Sequence, residues 1–100
     1  MRVQLLTLFC DQAGGGSDQV FPEFDGVRSG SGRTTFMRQG SVANFGEAGG
    51  SDSSIRVRLR DASNRNASLG TFTVSSRVSS PQTKSISGNG SKYRVTFTAF

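Results

Sequence analysis

The sequence predicts an all-β fold, a single antiparallel β-sandwich of about seven to eight short strands. Three observations carry that prediction. Apolar and polar residues alternate with a period of two, most clearly over Ile55 to Val74 and Lys92 to Phe100. Turn formers, 13 Gly among them, separate the alternating stretches. Good helix formers show no sustained period of three to four residues.

Val3 to Cys10 reads as the first strand. Its apolar phase runs Val3, Leu5 and then shifts to Leu6, Leu8, Cys10, which demands cover on both faces or a bulge near Leu5. A glycine-rich loop, DQAGGGSD, follows with Asp11 and Asp18 at its ends. Gln19 to Phe24 is the second strand, and Pro22, lacking an N–H, argues for a sheet edge. Asp25-Gly26 is a turn dipeptide leading into Val27 and Arg28. Ser29 to Gly32, SGSG, is a flexible connector. Thr34 to Arg38 is a short strand, Val42 and Phe45 mark a weaker element, and Glu47 to Ser54 is a long polar loop.

The pattern is strongest in the middle. Ile55, Val57 and Leu59 alternate with Arg56, Arg58 and Arg60, so one strand face is apolar and the other carries three guanidiniums. Asp61 to Ser68 has the polarity of an exposed loop. A second run follows, with Phe72 and Val74 against Thr71 and Thr73. The serine-rich segment after Val74 ends at Pro81, and Lys84 to Ser87 pairs with the last strand across an Asn89-Gly90 turn. In that last strand Tyr93, Val95, Phe97 and Ala99 face one way, and Lys92, Arg94, Thr96 and Thr98 the other. Both termini, MRVQLL and VTFTAF, are strand-like and need a partner edge, within the chain or from a neighbour.

A chain of 100 residues makes one domain, and with 33% hydrophobic residues its core is thin. Eight Phe and no Trp predict rings filling the space between the sheets. The net charge is +5. Ten Arg against two Lys favour planar contacts with carboxylate, phosphate or sulfate groups. Arg rows on outer sheet faces also pair commonly with cross-strand Asp, Glu or Thr. Cys10 is the only cysteine, so no intramolecular disulfide forms. Its strand setting predicts a buried, inert thiol, and the missing staple favours a reducing compartment. The apolar run at the N-terminus faintly resembles a signal peptide, but it is broken by Gln4 and Thr7 and is at the short limit of such a segment, so none is expected. No run approaches the roughly 20 apolar residues of a membrane-spanning helix. Synthesis in the cytoplasm is therefore expected, which leaves room for an extracellular or virion-like assembly.

The stretch Ile55-Val57-Leu59, Asp61, Leu69-Gly70, Phe72-Val74 resembles the C2 domain family, in which an alternating strand, an Asp-x-Asp loop and an aliphatic-Gly pair follow one another. The acid-bracketed DQAGGGSD loop corresponds loosely to that family's first calcium loop. About twenty residues match, as judged against a strand-count and order argument for the rest. The resemblance implies an eight-stranded antiparallel sandwich with functional loops at one end, where many C2 domains bind calcium and dock on anionic lipid. Asp11, Asp18 and Asp61 are the calcium candidates it implies. The sequence departs at the second Asp position, which holds Ser63, and at the distal acid, where Asn66 or Ala67 stands. Calcium takes six to eight oxygens with several carboxylates, so three Asp are too few for a tight site. Otherwise these side chains cap turns by accepting from nearby backbone amides. No cofactor is expected beyond that calcium.

Catalytic chemistry is poorly supplied. The chain has no His, a single Cys, and only Glu23 and Glu47 as glutamates, so neither a general base nor an acid pair is recognisable. The glycine runs in SGSGRT and SGNGSK lack the following helix that a phosphate loop requires. The first expectation is a non-catalytic structural module that self-associates into a homo-oligomer, filament, shell or appendage. The alternatives are a C2-like module on anionic lipid, and polyanion binding through Arg56, Arg58, Arg60, Lys92 and Arg94. No exposed aromatic is interleaved among those cations, which disfavours a nucleic-acid partner.

Overall fold

The computed structural model describes residues 1–29 and 33–100; of the expected SGSG connector, Gly30, Ser31 and Gly32 lie outside the described residues. The strands among the described residues are β1 (Val3–Gln12), β2 (Asp18–Phe24), β3 (Val27–Arg28), β4 (Thr35–Met37), β5 (Val42–Asn44), β6 (Ala48–Gly49), β7 (Ile55–Asp61), β8 (Ala67–Val74), β9 (Val78–Gly88) and β10 (Ser91–Ala99). One sheet has the order β5-β1-β10-β9, with β6 also on β1. The other has the order β3-β2-β7-β8, with β4 also on β2. Every pairing is antiparallel, and the two sheets pack as a sandwich.

The period-two pattern places the core. In β7 the residues Ile55, Val57 and Leu59 are fully buried, and in β10 Tyr93, Val95, Phe97 and Ala99 meet them from the other sheet. Burying one such side chain is worth about 1.5–3 kcal/mol, so this phase alone sets which face turns inward. The shift in β1 is a bulge: Leu5 pairs with Phe97 and Thr7 with Thr96, which leaves Leu6 extra. Beyond the bulge Leu8 and Cys10 regain the inward phase. Asp25-Gly26 and Asn89-Gly90 both turn through left-handed backbone, as two-residue hairpins require. The termini pair with each other, Val3 opposite Ala99, in the interior of the first sheet. Their partner edge lies within the chain.

Four expectations are corrected. The strands number ten rather than seven or eight, because β3 to β6 are two- and three-residue pieces lining the outer edges of β1 and β2. Pro22 is interior, opposite Leu59 of β7. Its carbonyl accepts from the Ser29 amide on the far side, and its missing N–H points that same way. There the neighbour changes from β4 to β3, so no ladder bond is lost. Pro81 lies inside β9, not at the end of a loop. The rings do not all fill the core: Phe24, Phe72 and Phe97 do, whereas Phe36 and Phe100 are 57% and 59% exposed.

The lateral edges of the sandwich are drawn together. At one, a bulge at Leu69 sets Gly70 at φ 133°, and β8 meets β9 backbone to backbone. A Cβ on Gly88 would stand 2.6 Å from the Ser68 carbonyl oxygen and 2.9 Å from the Leu69 carbonyl carbon. At the other, the Ser29 hydroxyl bonds Glu47 Oε2 at 2.9 Å and the Ala48 carbonyl at 3.3 Å.

Candidate functional site

The acids named by the sequence fall into two places. Asp18 opens β2 and Asp61 closes β7, and the register that sets Val20 opposite Asp61 brings both to one end of the interior. They are 2% and 3% exposed. Tyr93 and Ser91 of β10 both donate hydroxyls to Asp18 Oδ2, the Ser91 bond at 2.9 Å. Asp61 Oδ1 accepts the Gln19 amide at 2.9 Å, the Ser63 amide at 3.0 Å and the Ser63 hydroxyl at 2.6 Å. The last two bonds cap the single 3-10 turn Ala62–Asn64 that follows. The expected polar loop is therefore there, but its first residue is buried rather than exposed.

The two carboxyls lie at the same buried end and perturb each other, and neighbouring buried carboxyls resist carrying two charges at once. Burial above all lifts Asp18 above the ordinary carboxylate range; the Tyr93 and Ser91 hydroxyls pull it back, and the Asp61 hydrogen bond and charge push it up again. Burial raises Asp61 too, but the Ser63 hydroxyl, the Gln19 and Ser63 amides and the bond from Asp18 outweigh it and hold it low. Tyr93 is pushed far up by burial and by Asp18, so it remains a phenol donor.

Asp11 is not part of this group. It sits on the outer face of the first sheet, where Arg94 holds it in a fork through Nε at 3.0 Å and Nη2 at 2.9 Å. Among the described residues no three His, Cys, Asp or Glu side chains are placed to hold a metal ion together. The Asp18–Asp61 pair is the polar end of the interior, gripped by hydroxyls and amides. Its signal was present in the sequence: Asp18 stands two before Val20, Asp61 two after Leu59 and Ser91 two before Tyr93, all on the inward phase.

The five cations proposed for anion binding occupy opposite outer faces. Arg56, Arg58 and Arg60 project from β7 of one sheet, Lys92 and Arg94 from β10 of the other. Several already have partners. Arg60 bonds Glu23 Oε1 through Nε at 2.6 Å and the Asn66 carbonyl through Nη1 at 2.9 Å. Arg58 Nε donates to Thr71 Oγ1 at 3.1 Å. Arg94 lies 4.3 Å over the Phe9 ring, and Arg28 lies 3.9 Å over Phe21. Phe21, opposite Arg60 on the outer face, is only 2% exposed because such side chains cover it. Neighbouring strands bring these two rings among the cations, and a guanidinium lies over each.

One surface remains unused by the fold. β9 is 11 residues long and ends its sheet, and every residue from Ser79 to Ser85 is exposed. Lys84 lies opposite Val95 and Gln82 opposite Phe97, an inward phase, yet both reach solvent beyond the covering sheet. Pro81 and a bulge opposite Phe97–Ala99 interrupt the strand's first half, so its regular part is residues 82–88. Among the described residues no helix is long and apolar enough to cross a membrane. No protein-family model matches the chain, and no curated protein does.

Proposed function

We propose that the chain is a non-catalytic β-sandwich assembly module, which associates with further copies of itself by adding a strand to β9. One observation carries this reading: β9, 11 residues long, ends its sheet and is open over residues 82–85, between Pro81 and the seam that Ile86 to Gly88 make with β8. An open edge presents a row of unpaired N–H and C=O groups that another extended strand can complete. Residues 82–85 offer about 13 Å of such edge at roughly 3.3 Å per residue. Outward side chains Thr83 and Ser85 are small and polar, so a neighbouring strand meets no bulk. Pro81 with its bulge, and Lys84, restrict the register and number of partners, as guarded edges do.

Light scattering coupled to size-exclusion chromatography, over a wide concentration range, tests it. Successive residues of a strand turn their N–H groups to opposite sides, so Thr83→Pro and Lys84→Pro act differently. One breaks the ladder to β10; the other removes only an outward donor and abolishes association while the fold stays intact. A protein that stays monomeric at the highest concentration reached overturns the proposal.

A second reading is favoured by charge. The outer face around β7 gathers Arg28, Arg56, Arg58 and Arg60 against Glu23 and Asp25. That balance supports docking on an anionic surface, with calcium dispensable because Asp11 is held away from Asp18 and Asp61. Co-sedimentation with phosphatidylserine vesicles at low salt tests it, and no binding with or without calcium ends it.

A further inference from the structure

We propose that Asp18 and Asp61 form a one-proton latch between the two sheets: with one proton shared, the pair holds the loop end of the sandwich shut, and losing that proton opens it. The geometry points to this because the pair is the polar joint of an otherwise apolar interior. Asp18 belongs to β2 and Asp61 to β7 of one sheet, while the hydroxyls that grip Asp18 belong to β10 of the other. The joint reaches further. Ser91 Oγ also accepts the Gly14 amide at 3.0 Å, and Gln12 Nε2 donates to the Gly90 carbonyl at 2.9 Å, so the glycine loop is docked on the β9–β10 turn. A Cβ on Gly14 would stand 2.6 Å from the Asn89 carbonyl oxygen, which explains a glycine at this contact.

Cys10 of β1 and Tyr93 and Ser91 of β10 face Asp18, Met37 of β4 lies opposite it, and the donors placed on the two carboxyls are hydroxyls and backbone amides. With one proton present the pair carries a single charge, which the hydroxyls and amides solvate. With none, two charges share a buried site whose donors are neutral, and neighbouring carboxylates resist that strongly. The raised Asp18 binds its proton more tightly folded than unfolded. Its contribution is full below the ordinary carboxylate range and is lost as pH rises through its raised pKa. Asp61, held low, contributes above the ordinary range and loses that contribution as pH falls through its lowered pKa. The latch is shut between the two.

Amide hydrogen exchange against pH, read residue by residue with carbon-13 NMR of the two carboxyls, tests the latch. Intrinsic exchange rises about tenfold per pH unit, so a closed site follows that slope. The Gln19, Ser63 and Gly14 amides are expected to exceed it once the Asp18 carboxyl ionises, at a pH above the ordinary carboxylate range, while Val57 and Val95 keep to it. Asp18→Asn, which cannot ionise, is expected to restore the plain slope at all three. Tyr93→Phe removes a donor that favours the charged Asp18, and moves the break to higher pH. Amides that keep the plain slope until global unfolding overturn the latch. So does a break unchanged in Asp18→Asn, or one that Tyr93→Phe moves downward.

Discussion

Gly88→Ala asks whether the sandwich closes at β8 and β9. Gly88 is not in left-handed backbone, so the substitution carries no conformational penalty there. The cost is steric. The added Cβ would lie 2.6 Å from the Ser68 oxygen, 2.9 Å from the Leu69 carbonyl carbon and 3.0 Å from the Gly70 amide nitrogen, all backbone atoms of the facing strand. A side chain could rotate away; a strand held by its own ladder to β7 cannot. Either β9 moves outward by several tenths of an ångström or β8 buckles at its bulge. Overpacking of this kind costs about 1–3 kcal/mol. For a domain this size that is a drop in Tm of roughly 4–8 °C per kcal/mol, or about 4–24 °C. Gly15→Ala is the control, because nothing lies within 4 Å of its Cβ and its φ is not positive. Lower entropy of the unfolded chain makes that change neutral or stabilising by up to about 1 kcal/mol. Urea unfolding of the three proteins, compared through midpoint and slope, reads the difference. A Gly88→Ala midpoint indistinguishable from that of Gly15→Ala refutes the closed seam.

Phe97→Ala, at 1% exposure and with its ring 5.1 Å from Phe72, is expected to cost about 3–5 kcal/mol, whereas Phe36→Ala, at 57% exposure, stays within about 0.5 kcal/mol by the same urea assay. A double-mutant cycle on Arg60 and Glu23, whose side chains are 24% and 16% exposed, is expected to yield a coupling of about 1 kcal/mol that shrinks in high salt. Cys10 is fully buried, and burial chiefly, with Asp18 and Asp11, pushes its thiol up despite the Tyr93 and Gln12 hydrogen bonds. It is therefore expected to react with a thiol reagent only as fast as the native protein opens, and at once in denaturant.

Period-two alternation was enough to assign the class, the central pair β7–β8, the last strand and both two-residue turns, because inward burial of alternate residues needs no knowledge of what lies opposite. It also narrowed the slipped phase of β1 to cover on both faces or a bulge near Leu5, and the pairing with β10 chose the bulge. The same rule applied to Asp18, Asp61 and Ser91 puts them inside, but polarity alone reads them as loop residues, and a carboxyl becomes tolerable indoors only when another strand supplies its donors. Those donors, Tyr93 and Ser91, lie more than seventy residues from Asp18.

Which cations share a face could not be read along the chain. Arg56, Arg58 and Arg60 form one row, but whether Lys92 and Arg94 join them depends on which sheet each strand enters, and they enter different ones. Composition likewise counted eight rings without telling Phe97 from Phe36. The open edge of β9 was also invisible, because an edge is a property of strand order. Local pattern fixed the inward and outward faces; only the long-range pairing decided what each face, edge and buried acid would meet, since those energies arise between residues far apart in sequence.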